Sequence, residues 1–266
     1  MTTDADEWQR WTEGRTAAAS APHGVLALIG THWLGSEPVA LPGVPGVWSA
    51  VADRVRVAAA AADGLRVDGS GGGGDGSGGV VDGEALVHPD THPEADTLRH
   101  GDLLLVPIER EGELALRVFD PAAEARTRFS GIAAYPYAPE WSVPAVYTPY
   151  EDGDTAVEVP NADGRDRPLT LSGRIAFELA GEPYTLTVGR SGDRLSGVFA
   201  DASSGTDTYR FRFITLPAPD EQGRTVLDLN RAYLPPCAFA DHFICPFPPP
   251  GNRLPIPVRA GEKSVL

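Results

Sequence analysis

Apolar and polar residues alternate along most of this chain, and that period of two predicts strands. The clearest case is DLLLVPIEREGELALRVFD, where two apolar arms flank the polar turn Glu109–Glu113 and predict a hairpin. VPGVWSAVADRVRVAAAA alternates across Ala52-Asp53 in the same way, and GLRVDG is a further short strand. From Leu169 to Leu216 the alternation recurs between turn signals at Gly181-Glu182-Pro183, Gly189–Asp193 and Ala202–Gly205. That spacing suits an antiparallel meander or barrel. Its last part predicts a strand with Thr206, Thr208, Arg210 and Arg212 on one face and Tyr209, Phe211 and Phe213 on the other. TVLDLN reads as the final strand. Only the segment from Asp4 to about Ser20 has helical spacing. It places Trp8 and Trp11 on one face, with Asp4 or Asp6 as cap and Pro22 as stop, so the tryptophans staple a helix to the β core.

These patterns predict an all-β fold, mainly antiparallel, with an N-terminal helix. The expected parts are a helix over 1–22, a sandwich-like unit over 23–129, and a second β unit over 130–266. The second unit is expected as a barrel or curved sheet closed by a Pro-rich C-terminal strap. Phe129–Gly153, rich in Tyr and Pro, reads as the connector between them. The run GSGGGGDGSGGVVDG, residues 69–83, reads as a flexible loop-tip insertion and not as a phosphate-cradling loop, because no helix pattern follows it.

Composition sharpens this picture in a few places. The 30 glycines and 25 prolines agree with many turns, and the 42% hydrophobic share is enough for a sizeable core. The net charge of −15 repels phosphate backbones, so no nucleic-acid partner is expected. No apolar run is long enough for a membrane span and no leader pattern is visible, so a cytoplasmic location with reduced thiols is expected. The oligomeric state is not legible.

Three stretches near the C-terminus stand out together: FADASSGTDTYRFRFI, then VLDLNRAYLPPCAFADHFICPFPPPGNRL, then RAGEK. In that order they resemble the signature of a prokaryotic family known as domain of unknown function 1684. Looser likeness extends to the tryptophan helix, LIGTHWLG, LPGVPG and LRVFDPAAEARTRFSGIAAYPYAPEW. The resemblance implies a β-rich fold without a known activity, so it carries no catalytic residue over.

Candidate chemistry therefore rests on the residues themselves. Asn230, Arg231 and Tyr233 follow a strand end, and Arg231 can grip a carboxylate or phosphate with its planar fork. Asn252-Arg253 and Glu262 lie beyond the prolines and complete the candidate ligand-binding set. The bland alternative is an internal network, with Arg231 paired to Asp228 or Glu262. Cys237 and Cys245 are read as structural thiols; a disulfide would need an oxidising compartment, and zinc would need ligands from elsewhere. His88 and His92 have a metal-like spacing, with Asp90 between them and His100 nearby, but Pro89 and Pro93 argue against a helix. A solvated loop is expected there, as is no metal and no cofactor. His32 reads as a half-buried polar residue, and no G-x-S-x-G elbow or dinucleotide fingerprint is present. Three functions stay open. One is a module binding a small polar or acidic ligand. Another is a hydrolase with Tyr233 or Glu262 as acid/base and Arg231 as clamp. The third is a scaffold without a pocket.

Overall fold

The computed structural model describes residues 3–68 and 79–266. The glycine-rich insertion expected over 69–83 falls mostly outside the described residues. Helix α1 spans Asp4–Ala19. The chain forms two compact units: Ala18–Arg128, and Met1–Ala17 together with Phe129–Leu266. Among the described residues, no helix is long and apolar enough to cross a membrane.

The Ala18–Arg128 unit contains β1 (Leu28–Trp33), β2 (Val39–Leu41), β3 (Val44–Val51), β4 (Arg54–Ala59), β5 (Arg66–Asp68), β6 (Gly83–Val87), β7 (Thr97–His100), β8 (Leu103–Arg110), β9 (Glu113–Phe119) and the short helix α2 (Glu124–Arg128). Five strands pair in the order β1-β9-β8-β7-β5, and four in the order β2-β3-β4-β6. Trp48, Val55, Val57 and Val87 of the four-stranded sheet share one core with Val67, Leu98, Leu105 and Leu116 of the five-stranded sheet. Two sheets that bury facing apolar residues in one core make a sandwich. The β8–β9 hairpin closes through Glu111 and Gly112 with φ of 57° and 80°, the left-handed pair that matches strand twist.

The other unit holds β10 (Ile132–Ala134), β11 (Ser142–Pro149), β12 (Thr155–Pro160), β13 (Asp166–Leu171), β14 (Gly173–Leu179), β15 (Glu182–Ser191), β16 (Arg194–Phe199), β17 (Arg212–Leu216), β18 (Arg224–Asp228) and β19 (Glu262–Val265). Six strands form a curled antiparallel sheet in the order β17-β16-β15-β14-β11-β18. Its edges β17 and β18 do not pair, so the sheet is a half-barrel and not a closed barrel. Ile175, Leu186, Val188, Leu195, Phe199, Ile214 and Leu227 fill its core at 1% exposure or less. β12 pairs with β13, and β10 with β19.

Two expectations need correction. The Phe129–Gly153 segment is not a mere connector, because β11 pairs on both sides, with β14 and with β18. Its prolines hid it; Ala145 and Tyr147 still point into the core as an alternating pair. Secondly, the strand expected from Thr206 begins only at Arg212. Asp201 captures the backbone first: its Oδ1 accepts from the Ser203 N–H at 2.7 Å, while the Gly205 N–H donates to the Thr208 carbonyl. The resulting turn breaks the alternation, and both Phe211 and Arg212 end up buried.

After β18 the chain makes a 3-10 turn at Leu229–Arg231 and another at Pro236–Ala238. The proline segment is then fastened to the sheet. Asn252 Nδ2 donates to the Thr187 and Val198 carbonyls, both at 2.8 Å, and its Oδ1 accepts from the Thr187 N–H at 2.8 Å. The Phe247 N–H donates to the Pro160 carbonyl at 2.8 Å.

Candidate functional site

The candidate set does not converge. Asn230 is fully buried, and every polar atom of its side chain is committed. Its Nδ2 donates to Asp228 Oδ1 at 2.9 Å and to the Ala138 carbonyl at 3.0 Å, and its Oδ1 accepts from the Ala138 N–H. Its carbonyl accepts from Trp8 Nε1 at 2.9 Å, so one asparagine joins α1, the 3-10 turn and the segment before β11. Asn252 is likewise spent on the sheet. Glu262, 1% exposed, accepts from the Arg15 guanidinium at 2.8 and 3.0 Å and from the Leu234 N–H at 2.7 Å. Arg253 is exposed on the strap, where its backbone bridges to Ala200.

Arg231 and Tyr233 line two different clefts. The Arg231 cleft, about 350 Å³, also takes Asp4, Glu7, Tyr137, Arg194 and Asp228. Arg231 lies 3.3 Å from Asp228 and 3.7 Å from Glu7. Three carboxylates against two guanidinium groups leave this cleft acidic, which opposes an anionic ligand. Partial burial, then the charges of Asp4 and Asp228, raise the Tyr137 phenol above its ordinary value.

The Tyr233 cleft is larger, about 420 Å³. Leu169, Leu171, Val198, Phe213, Tyr233, Pro246 and Pro249 supply apolar wall, and Arg190, Ser191 and Ser196 supply polar groups. Strand register explains why the polar groups gather. Gly189 faces Ser196 across the β15–β16 hairpin, which puts Arg190 and Ser191 beside it. Gly189 also lets β13 approach closely, since a Cβ there would stand 2.6 Å from the Thr170 carbonyl oxygen. Tyr233 is fixed by an edge-on contact with Phe213 at 5.8 Å and by the Arg15 guanidinium 4.9 Å from its ring centroid. The Arg190 guanidinium lies 5.3 Å from the Tyr147 ring centroid, and among the described residues it pairs with no carboxylate. Arg190 and Ser196 were missed in the sequence because they sit in what reads as a plain hairpin; the PFPPP run was the visible signal of a wall.

Cys237 and Cys245 are not joined in a disulfide, and both are buried, at 5% and 2% exposure. The Cys237 N–H donates to Cys245 Sγ at 3.3 Å. The Tyr209 hydroxyl lies 3.0 Å from the Cys237 carbonyl oxygen and 3.7 Å from its Sγ, and Arg210 Nε donates to that hydroxyl at 3.2 Å. The Cys245 thiol, opposed by burial and helped by Tyr209 and Arg210, brings the Cys237 thiol down to about 7. Burial and the neighbouring Cys237 push the Tyr209 phenol up to about 12.

In the Ala18–Arg128 unit, ligand atoms of His88, His92 and Glu94 come within 4.8 Å of one another. The two imidazoles stack at 3.8 Å and 11°, which aims their lone pairs side by side and not at one point. His92 Nδ1 already accepts from the Glu94 N–H at 3.1 Å. The segment is a series of turns, with Asp90 held by both Arg110 nitrogens at 2.8 and 2.7 Å. These contacts make a braced loop, and the ring geometry opposes a shared cation.

The family model described as "Protein of unknown function (DUF1684)" matches residues 127–263. An uncharacterised protein from Haloarcula marismortui, solved by solution NMR, is similar at 29% identity, over 52% of this chain and 79% of its own, with a TM-score of 0.44. No curated protein matches the chain.

Proposed function

The chain belongs to the DUF1684 family, and we propose that this member binds a small molecule with an apolar body and an anionic head in the Tyr233 cleft. One observation carries the reading. The cleft joins apolar walls to Arg190, a cation without a carboxylate partner among the described residues. Arg231, the other candidate, already has carboxylates on it. Small-molecule sites have this anatomy, a concave apolar lining with few polar groups that fix orientation. The apolar body would lie against Phe213, Tyr233 and the strap prolines, and the head would accept from Arg190 and the Ser191 and Ser196 hydroxyls. A hydrolase using Tyr233 or Glu262 with Arg231 gains no support, because these groups face different surroundings and Glu262 is sealed against Arg15.

The test is a fluorescence titration with anilinonaphthalene sulfonate, an anionic aromatic probe, followed by displacement with medium-chain carboxylates. The expected result is saturable binding that Arg190→Ala weakens by about tenfold or more, the worth of a charge-assisted hydrogen bond. Arg231→Ala should leave it unchanged. Equal binding by Arg190→Ala overturns the proposal, and no saturable binding overturns it in favour of a scaffold protein.

A further inference from the structure

We propose that Cys237 and Cys245 form a redox-active dithiol site, in which Cys237 is the thiolate that attacks hydroperoxides and Cys245 is the resolving thiol. The inference stands apart from the ligand cleft and rests on what surrounds the sulfurs. A buried structural cysteine sits among apolar groups, which disfavour its thiolate. Cys237 instead has three polar or charged neighbours. Cys245 Sγ accepts from the Cys237 backbone N–H at 3.3 Å, which keeps the second thiol beside Cys237. Tyr209 supplies a hydroxyl 3.7 Å from Sγ. Arg210 supplies a positive charge, held in place because its guanidinium lies 4.7 Å from the Phe247 ring centroid and donates to the Tyr209 hydroxyl.

These groups work as a relay. In the resting thiol the Tyr209 proton points to the Cys237 carbonyl oxygen, 3.0 Å away. When Cys237 ionises, the hydroxyl turns that proton to the sulfur, while the Arg210 guanidinium donates to the phenol oxygen from its other side. Arg210 is thus a positioning residue. The prolines that flank the thiols, Pro235-Pro236 before Cys237 and Pro246 after Cys245, stiffen the backbone on either side of the pair.

The chemistry balances. The Cys237 thiolate attacks the terminal oxygen of a hydroperoxide: an S–O bond forms, the O–O bond breaks, and the alkoxide leaves as the alcohol with the proton that Cys237 gave up on ionising. The sulfur is oxidised by two electrons to a sulfenic acid. Cys245 sulfur then attacks Cys237 sulfur. The S–S bond forms, the S–O bond breaks, and hydroxide leaves with the Cys245 proton as water. The hydrogen bond from the Cys237 backbone N–H to Cys245 Sγ, 3.3 Å long, keeps the resolving thiol next to the residue that it attacks.

The first readout needs no variant. The reduced full chain is treated with hydrogen peroxide, then digested without reductant and mapped by mass spectrometry. A Cys237–Cys245 crosslink within one chain, lighter by two hydrogens, is expected; two thiols that both remain titratable overturn the proposal. Limiting iodoacetamide on the untreated native chain should label Cys237 at least about tenfold faster than Cys245. Labelling of Cys245 first overturns the assignment of roles. Cys245→Ser should trap a sulfenic acid on Cys237 that dimedone captures, and a chain of that variant that stays unlabelled counts against the mechanism. Tyr209→Phe should slow Cys237 alkylation about tenfold, and an unchanged rate overturns the relay.

Discussion

Arg212 and Asp201, both with wholly buried side chains, meet at 2.7 Å between Nη2 and Oδ2. Around this pair the end of the chain is wrapped. Arg212 Nη2 also donates to the Val258 carbonyl at 3.0 Å, and Nη1 donates to the carbonyls of Ala260 and Glu262. Asp201 Oδ1 accepts from the Val258 N–H at 3.3 Å. Burial pulls the guanidinium below its ordinary value and the Asp201 charge opposes it. Removing one partner leaves the other charge buried alone. Arg212→Met should therefore cost about 3–5 kcal/mol in urea unfolding. Asp201→Asn combined with Arg212→Met should cost less than the sum of the single changes. A loss under about 1 kcal/mol for Arg212→Met would show that the pair is not what holds the segment.

This pair also shows why the last third of the fold was only partly legible. The alternation from Thr206 to Phe213 is real in the sequence, and it placed Arg212 on one face with Thr206, Thr208 and Arg210, opposite the aromatic residues. In the structure Arg212 faces the interior because Asp201 and a set of backbone carbonyls wait for it there. A period of two records which residues are apolar and not which polar residues have a buried partner. The hairpins at Ala52-Asp53 and Glu111-Gly112 were legible because turn and pattern are local. Asn230 was read as a ligand group for the same reason that Arg212 was misread: its partners Ala138 and Trp8 are far away in sequence. Arg190 escaped notice because its cleft is assembled by β13, β15, β16, β17 and the strap together.

Arg15 should prove an anchor for the helix. Its guanidinium meets Glu262 at 2.8 and 3.0 Å and the Leu234 carbonyl at 3.2 Å. Arg15→Ala strands a buried carboxylate and removes the cation above Tyr233. The expected loss is about 2–3 kcal/mol, measured by denaturant unfolding, the range for a hydrogen bond to a charged group left unmade. Glu262→Gln should recover part of it in the Arg15→Ala background, since a neutral amide costs less to bury. Equal stability of Arg15→Ala and the native chain would remove Glu262 from the architecture.

Gly261 can only be glycine. Its φ is 76°, and a Cβ there would stand 2.4 Å from the Ala232 carbonyl oxygen. Both strain and overlap fall on the turn that carries Glu262 back toward Leu234. Gly261→Ala should lower stability by about 2 kcal/mol or more. Gly251, with φ of 91° and nothing near its absent Cβ, is the control and should lose only the conformational share, about 1 kcal/mol. Comparable losses at the two positions would mean that the overlap at Gly261 relaxes freely.

The thiol pair makes a pH prediction that depends on sign. The Cys237 thiol stands near 7 in the folded chain against an ordinary value of about 9. A depressed acid binds its proton more weakly when folded than when unfolded. Its stabilising contribution is therefore complete above about pH 9 and is lost as pH falls through about 7. Native chain and Cys237→Ser should then differ in urea midpoint by an amount that grows from about pH 6 to about pH 9 and levels off above. The Tyr209 phenol, pushed up to about 12, acts in the opposite sense but only above about pH 10, outside this window. Tyr209→Phe, which removes a donor from the thiolate, should shrink the growth without abolishing it, because Cys245 is the larger cause. A difference between native chain and Cys237→Ser that stays flat across this range would mean that the sulfur remains a thiol in the folded protein.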